Sequence, residues 1–165
     1  MQRAANIFVG HFAAGLAMRG RARRVPVAVY VGGAFLLDFL WVAFGVAGVD
    51  PTPWSDWSHS LVMAMVWATA FALMFVKFGR GAVMAVWLIV LSHYLLDLLI
   101  QGATLYPFAP QEALIPILVT THAWALQRLL SAAFLLVFLR DEWKAGAFSW
   151  RTLAACALVV ALSFR

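Results

Sequence analysis

The feature that most constrains this chain is a set of long apolar runs without alternation, of which AVMAVWLIVLSHYLLDLLI, residues 82 to 100, is the clearest. About twenty such residues cross a bilayer core as a helix, and in hydrocarbon each helix satisfies its own backbone hydrogen bonds. Hydrophobic residues make up 65% of the 165 residues and charged residues 12%, too few charges to cover a soluble globule. The sequence predicts an all-α, polytopic transmembrane helical bundle, a single integral membrane domain over residues 1–165.

The apolar runs predict about five to six membrane helices, with boundaries placed to within a few residues. The first run is short, and it either spans the membrane or forms a re-entrant or tilted half-span. The six predicted segments cover residues 4–18, 25–49, 57–78, 82–101, 113–139 and 148–164.

The connections between the runs differ in charge and so predict the orientation. RGRARR (19–24), KFGR (77–80) and RDEWK (140–144) hold eight of the twelve basic residues, whereas residues 50–57 and 102–112 hold none. Basic loops are typical of the cytoplasmic side, so we expect the other loops to face outward. The net charge of +5 is explained by these loops and calls for no nucleic acid; the expected partner is the lipid bilayer, and the oligomeric state stays open.

Ionisable side chains inside the apolar runs point to function. All four histidines, and two of the seven acidic residues, fall within or at the edge of these runs: His11, His59, His93, His122, Asp38 and Asp97. A carboxylate at the centre of a membrane helix costs roughly 2.5–3.5 kcal/mol. Under the predicted orientation these residues lie between the midplane and the outer surface, with His93 and Asp97 four residues apart on one helix face.

Imidazole and carboxylate are the usual nitrogen and oxygen ligands of divalent metals, so the set predicts a metal site. We expect zinc first, with iron or manganese as alternatives. Each residue alone also has a plainer interpretation. A single histidine such as His122 often hydrogen-bonds between helices, Asp38 and Arg128 could form a buried ion pair, and His59 could cap its helix.

Four segments resemble a family of small bacterial membrane-bound metal-dependent hydrolases, which includes the LexA-regulated inner-membrane type. They are GHFAAGLAMR (10–19), FLLDFLW (35–41), WSHSLVMAMVW (57–67) and LSHYLLDLL (91–99). The resemblance implies a multi-pass protein of the bacterial inner membrane whose metal ligands are His11, Asp38, His59, His93 and Asp97. Some members carry a further histidine where this chain has Gln101; Gln101 and His122 are therefore candidate accessory residues.

The leading prediction for function is a membrane-embedded metal-dependent hydrolase that acts from the outer leaflet on a lipid or amphipathic substrate, with a phosphoester as one candidate. Asp38 and Asp97 are its candidate catalytic residues, because a carboxylate can act as general base, and Arg128 is a candidate for holding an anionic headgroup. Two alternatives stay open. Intramembrane aspartate and histidine residues also mark metal-ion or proton transport, and a closed ligand shell would make the metal structural.

Overall fold

A computed structural model describes residues 2–48, 57–100, 104–107, 123–150, 152–154 and 156–157. These residues form helices, turns and bends, with no strand among them, so the all-α prediction is confirmed. The six principal helices are α1 (Gln2–Met18), α2 (Val27–Ala34), α3 (Leu36–Val46), α4 (Leu61–Leu73), α5 (Arg80–Ile100) and α6 (Ala123–Lys144).

Helix α5 lies at the centre of the bundle. It packs most extensively against α4 and also contacts α1, α2, α3 and α6, while α1 packs along α6. Small residues form the buried face of α4: Ala64, Ala68 and Ala72 are all buried and recur every four residues along one side of the helix. Such stripes let helix backbones approach closely.

A sharp break separates α2 from α3. The two helices meet at Phe35, whose φ of −112° and ψ of 9° are not helical, and their axes differ by 59°. Just before the break, Gly33 packs against α5 so closely that a Cβ there would lie 2.9 Å from Ile89 Cγ2. The second predicted span, 25–49, is therefore two helices and not one.

By length and composition, the described residues contain one helix able to cross a membrane, Arg80–Leu99, and a second only if the bent α2–α3 pair is one span. The predicted count of five to six spans is thus not supported there. The 13-residue helix α4 is apolar but short, because the third predicted span is interrupted at Ser60 and α4 ends at Leu73. The predicted spans 113–139 and 148–164 lie partly outside the described residues.

The end of the bundle at the start of α5 is rich in arginine. Glu142 of α6 is buried, and its Oε1 lies 3.1 Å from Arg19 Nη1 and 3.0 Å from Arg23 Nη2. Arg23 Nη2 also donates to the backbone oxygen of Asp141, 2.5 Å away. These contacts fix the turn after α1 to the end of α6.

Candidate metal centre

Helix α5 brings His93 and Asp97 inside because both continue its buried stripe. Ala82, Val86 and Ile89 are buried on the same face, spaced three or four residues apart as helical neighbours are. His93 and Asp97 extend this stripe and are only 1% and 3% exposed. The sequence pattern that packs α5 into the core therefore also carries the two polar side chains into it.

His11 reaches the same place from α1. It is 1% exposed and lies three residues before Ala14, which belongs to the same core cluster as Ile89. The ring of His11 stacks on that of His93, with centroids 3.9 Å apart and planes 12° apart. Its Nε2 lies 3.3 Å from Asp97 Oδ1.

Asp38 and His59 complete the cluster from the more accessible side. Asp38 lies in the first turn of α3, directly after the break, and His59 in a helical turn at 57–59 before α4. Their side chains are 31% and 22% exposed, in contrast to the three buried residues. His59 Nε2 lies 3.5 Å from Asp38 Oδ1 and 3.8 Å from Asp97 Oδ2.

The loop at 104–107 holds this end of the bundle together. The N–H groups of Leu61 and Val62, which have no partner inside α4, donate to the backbone oxygens of Thr104 and Leu105 at 3.0 and 3.1 Å. The hydroxyl of Tyr94 donates to the same Thr104 oxygen at 2.9 Å. The turn that carries His59 is thereby fixed relative to α5.

The distances between the imidazole nitrogens and the carboxylate oxygens suit ligands of a shared cation better than direct hydrogen bonds. His93 Nε2 lies 3.2 Å from Asp97 Oδ2 and 3.6 Å from Asp38 Oδ1. Two ligands of a tetrahedral zinc ion lie about 3.3 Å apart, given bonds of about 2.0–2.1 Å. Within the described part of the chain, the buried atoms His11 Nε2, His93 Nε2 and Asp97 Oδ1 meet in His–Asp pairs but form no hydrogen bond of good geometry, and buried polar atoms normally form one.

These atoms form two groups, each with ligand atoms within 4.8 Å of one another: His11, His93 and Asp97, and Asp38, His59 and His93. Either group could hold a metal ion. Two carboxylates would also balance the two positive charges of a divalent ion, which reduces the cost of burying it.

Neighbouring groups orient two of the imidazole rings. His93 Nδ1 lies 2.6 Å from the backbone oxygen of Ala34; because a carbonyl only accepts, Nδ1 carries the proton, and in the neutral ring Nε2 then keeps its lone pair. The break at Phe35 makes this possible, since Ala34 is the last residue of α2. Ser58 Oγ lies 2.7 Å from His59 Nδ1 and leaves His59 Nε2 facing the carboxylates. Metal-binding histidines commonly have such outer partners.

Both groups depend on the single lone pair of His93 Nε2. One imidazole nitrogen binds one ion, so the two groups cannot each hold an ion through His93 at the same time. The geometry therefore favours one ion within the cluster.

The structure brings together all five residues predicted as metal ligands from the sequence. The accessory candidates Gln101 and His122 lie outside the described residues. Arg128 is exposed on α6, and the carboxylate of Asp38 lies beside histidine side chains of the cluster.

The sequence analysis did not predict that Ser58 and Ala34 are hydrogen-bonding partners of the imidazole rings. Ser58 could have been proposed because it is the neighbour of His59 in the sequence. A backbone oxygen that is left without a helical partner by a break is not marked by any residue type.

Comparisons with known proteins found no relative of this chain. No protein-family model, no curated protein and no solved structure matches the chain.

Proposed function

We propose that the chain is a membrane-embedded hydrolase that uses one divalent metal ion, zinc first, to cleave a lipid or amphipathic phosphoester. The observation that carries the proposal is the convergence of three buried and two partly exposed ligand side chains on one point. A structural ion needs a closed shell, whereas a catalytic one keeps a position open. The difference in exposure between the two sides of the cluster supports an open position.

In this proposal His11, His93 and Asp97 hold the ion. Two histidines and one carboxylate are a common ligand set of catalytic zinc sites, and all three side chains are buried. A bound divalent ion polarises a phosphoryl or acyl oxygen and lowers the pKa of a water molecule. The buried side of the cluster is filled by protein, so the substrate approaches from the side of Asp38 and His59.

Asp38 and His59 then have separate tasks from the three buried ligands. Asp38 is the general base that accepts a proton from the attacking water, because it is the more exposed of the two carboxylates and faces the open side. His59, with Ser58 on its other nitrogen, is placed to move a proton toward solvent or the leaving group. Asp97, held between His11 and His93, serves as ligand.

Exposed apolar side chains lie on the two helices next to Asp38 and His59 and favour an amphipathic substrate. Phe39, Trp41 and Val42 of α3 are 60%, 48% and 52% exposed, and Val62 and Met65 of α4 are nearly as exposed. Large contiguous apolar surfaces mark membrane or ligand contact. An acyl chain can lie against them while its phosphoester reaches Asp38.

The same surfaces support a multi-pass location in the bacterial inner membrane, with short and broken helices completing the bundle around α5. The arginine-rich end lies opposite the His/Asp cluster along α5, as expected if basic loops face the cytoplasm and the cluster faces the outer leaflet. The four resembling sequence blocks, which contain all five ligand candidates, support the hydrolase class.

The interior of the bundle supports metal-ion or proton transport less well than it supports a hydrolase. Between the cluster and the start of α5, the buried residues of that helix are apolar: Ala82, Ala85, Val86, Ile89 and Val90. A proton or ion path needs polar groups along its length, and the described part of α5 offers none on this stripe.

The test is hydrolysis of phosphatidic acid and phosphatidylglycerol in mixed micelles by zinc-reconstituted protein, with Asp38→Asn as the matched variant. We expect release of phosphate or headgroup by the wild type and a loss of about 100-fold or more in the variant. A protein that binds one ion yet cleaves neither of these lipids would leave the metal structural and overturn the hydrolase proposal.

A further inference from the structure

We infer that the arginine-rich end of the bundle contains a second site, which binds a phosphate group independently of the metal centre. The turn after α1 and the start of α5 line an open cavity of about 410 Å³ there, within the size range of small-ligand sites. Among the residues that line it are Arg21, Arg23, Arg24, Phe78, Gly81 and Ala82.

The charge of the lining selects an anion. Among the described residues that line the cavity, three are arginines and none is acidic; the carboxylate of Asp141 lies against Gly20 at its edge. Arg23 is held by Glu142 and the Asp141 backbone, so it forms a fixed wall. Arg21 donates to the neutral sulfur of Met18 over 3.2 Å, and no carboxylate of the described residues pairs with Arg21 or with Arg24. Their positive charges are therefore available to a ligand.

The shape suits a phosphate attached to an apolar body. Guanidinium groups bind phosphate oxygens in a bidentate manner. Because Gly81 and Ala82 are small, a phosphate group can approach the backbone of α5 there. Phe78 adds an aromatic wall on the same side. A lipid phosphate headgroup and free phosphate share this chemistry.

The cavity is distinct from the metal centre. Gly81 and Asp97 lie sixteen residues apart on α5, which corresponds to about 24 Å along the helix. The buried stretch between them is apolar. Binding at the arginine cavity therefore needs no metal and does not depend on the proposed hydrolase activity.

Native mass spectrometry of the detergent-purified, full-length chain tests the site by measuring its affinity for phosphatidylglycerol. A titration with phosphatidylcholine, which carries no net charge, is the reference. The variant is Arg21→Gln/Arg24→Gln; the control, Arg140→Gln/Lys144→Gln, removes the same charge from exposed positions at the same end. Each arginine contributes about fivefold in affinity for an anionic lipid, so we expect the affinity for phosphatidylglycerol to fall about 25-fold in the variant and less than twofold in the control. Arg24→Gln alone, expected to lose about fivefold, serves if the double variant does not fold.

A thermal melt in inorganic phosphate against chloride at equal ionic strength distinguishes the two phosphate sources. Stabilisation of the wild type, absent in the variant, assigns the site to free phosphate as well; no stabilisation, with the lipid result intact, assigns it to a headgroup. Equal losses in variant and control would reduce the site to a diffuse basic surface and overturn the inference. So would a wild type that binds both lipids equally and gains no stability from phosphate.

Discussion

His93 is the residue on which both ligand groups depend, and replacing it by asparagine isolates its metal-binding role. The asparagine amide can still donate to the Ala34 oxygen, as His93 Nδ1 does over 2.6 Å. It removes Nε2, the atom that lies 3.2 Å from Asp97 Oδ2. We therefore expect His93→Asn to fold like the wild type and to bind metal far more weakly.

The size of the effect follows from the number of ligands. Structural zinc ions contribute about 10–16 kcal/mol from four ligands, so one ligand accounts for about 3 kcal/mol, or about 100-fold in affinity. At a free metal concentration of about 1,000 times the wild-type Kd, the bound ion stabilises the wild type by about 4 kcal/mol and the variant by about 1.4 kcal/mol. At about 2–4 °C per kcal/mol, removing metal lowers Tm by about 8–16 °C in the wild type and about 3–6 °C in the variant.

The assay is thermal unfolding of detergent-purified protein with and without EDTA. Ser92→Ala is the matched control, because the Ser92 hydroxyl donates to the Ile89 oxygen of its own helix and should leave the full EDTA effect. If His93→Asn shows the same EDTA shift as the wild type, His93 is not a ligand and the shared-atom reasoning fails.

Three further variants test separate parts of the structure. Asp38→Asn should keep the metal and lose activity about 100-fold or more; loss of metal in elemental analysis would make Asp38 a ligand and not the base. Gly33→Ala should lower stability by about 1–3 kcal/mol in thermal unfolding, because its Cβ would lie 2.9 Å from a side-chain carbon of α5. Gly32→Ala, which meets nothing within 4 Å, should be neutral, and equal effects would count against close packing. Glu142→Gln should destabilise the fold by about 1–3 kcal/mol, since it weakens two ion pairs to a buried carboxylate; an unchanged Tm would show that the pairs contribute nothing.

The candidate site could be predicted largely from residue types, because ionisable side chains in apolar helices need a reason to be there. The spacing of His93 and Asp97 placed them on one face, and that face is the buried stripe of α5. His11, Asp38 and His59 lay far apart in the chain, and their residue types together with the resemblance predicted one cluster. That they bind metal remains a prediction.

The helix lengths could not be predicted in the same way. Hydropathy treats 25–49 as one continuous run, whereas the chain breaks at Phe35, where neither proline nor a charge marks the change. The glycine pair Gly32–Gly33 just before Phe35 is a signal of a break, but the position of the break becomes clear only from the packing of Gly33 against α5 and the contact of Ala34 with His93. The arginine cavity was likewise hidden, because basic residues in a short loop already had an explanation in membrane orientation.

The most direct test of the central claim is elemental analysis of the purified wild-type chain after reconstitution with zinc, iron or manganese and removal of free metal. The account predicts one equivalent of a single divalent metal per chain, because both ligand groups share His93 Nε2. Two equivalents would contradict the shared-atom geometry. No bound metal at all would contradict the metal centre itself.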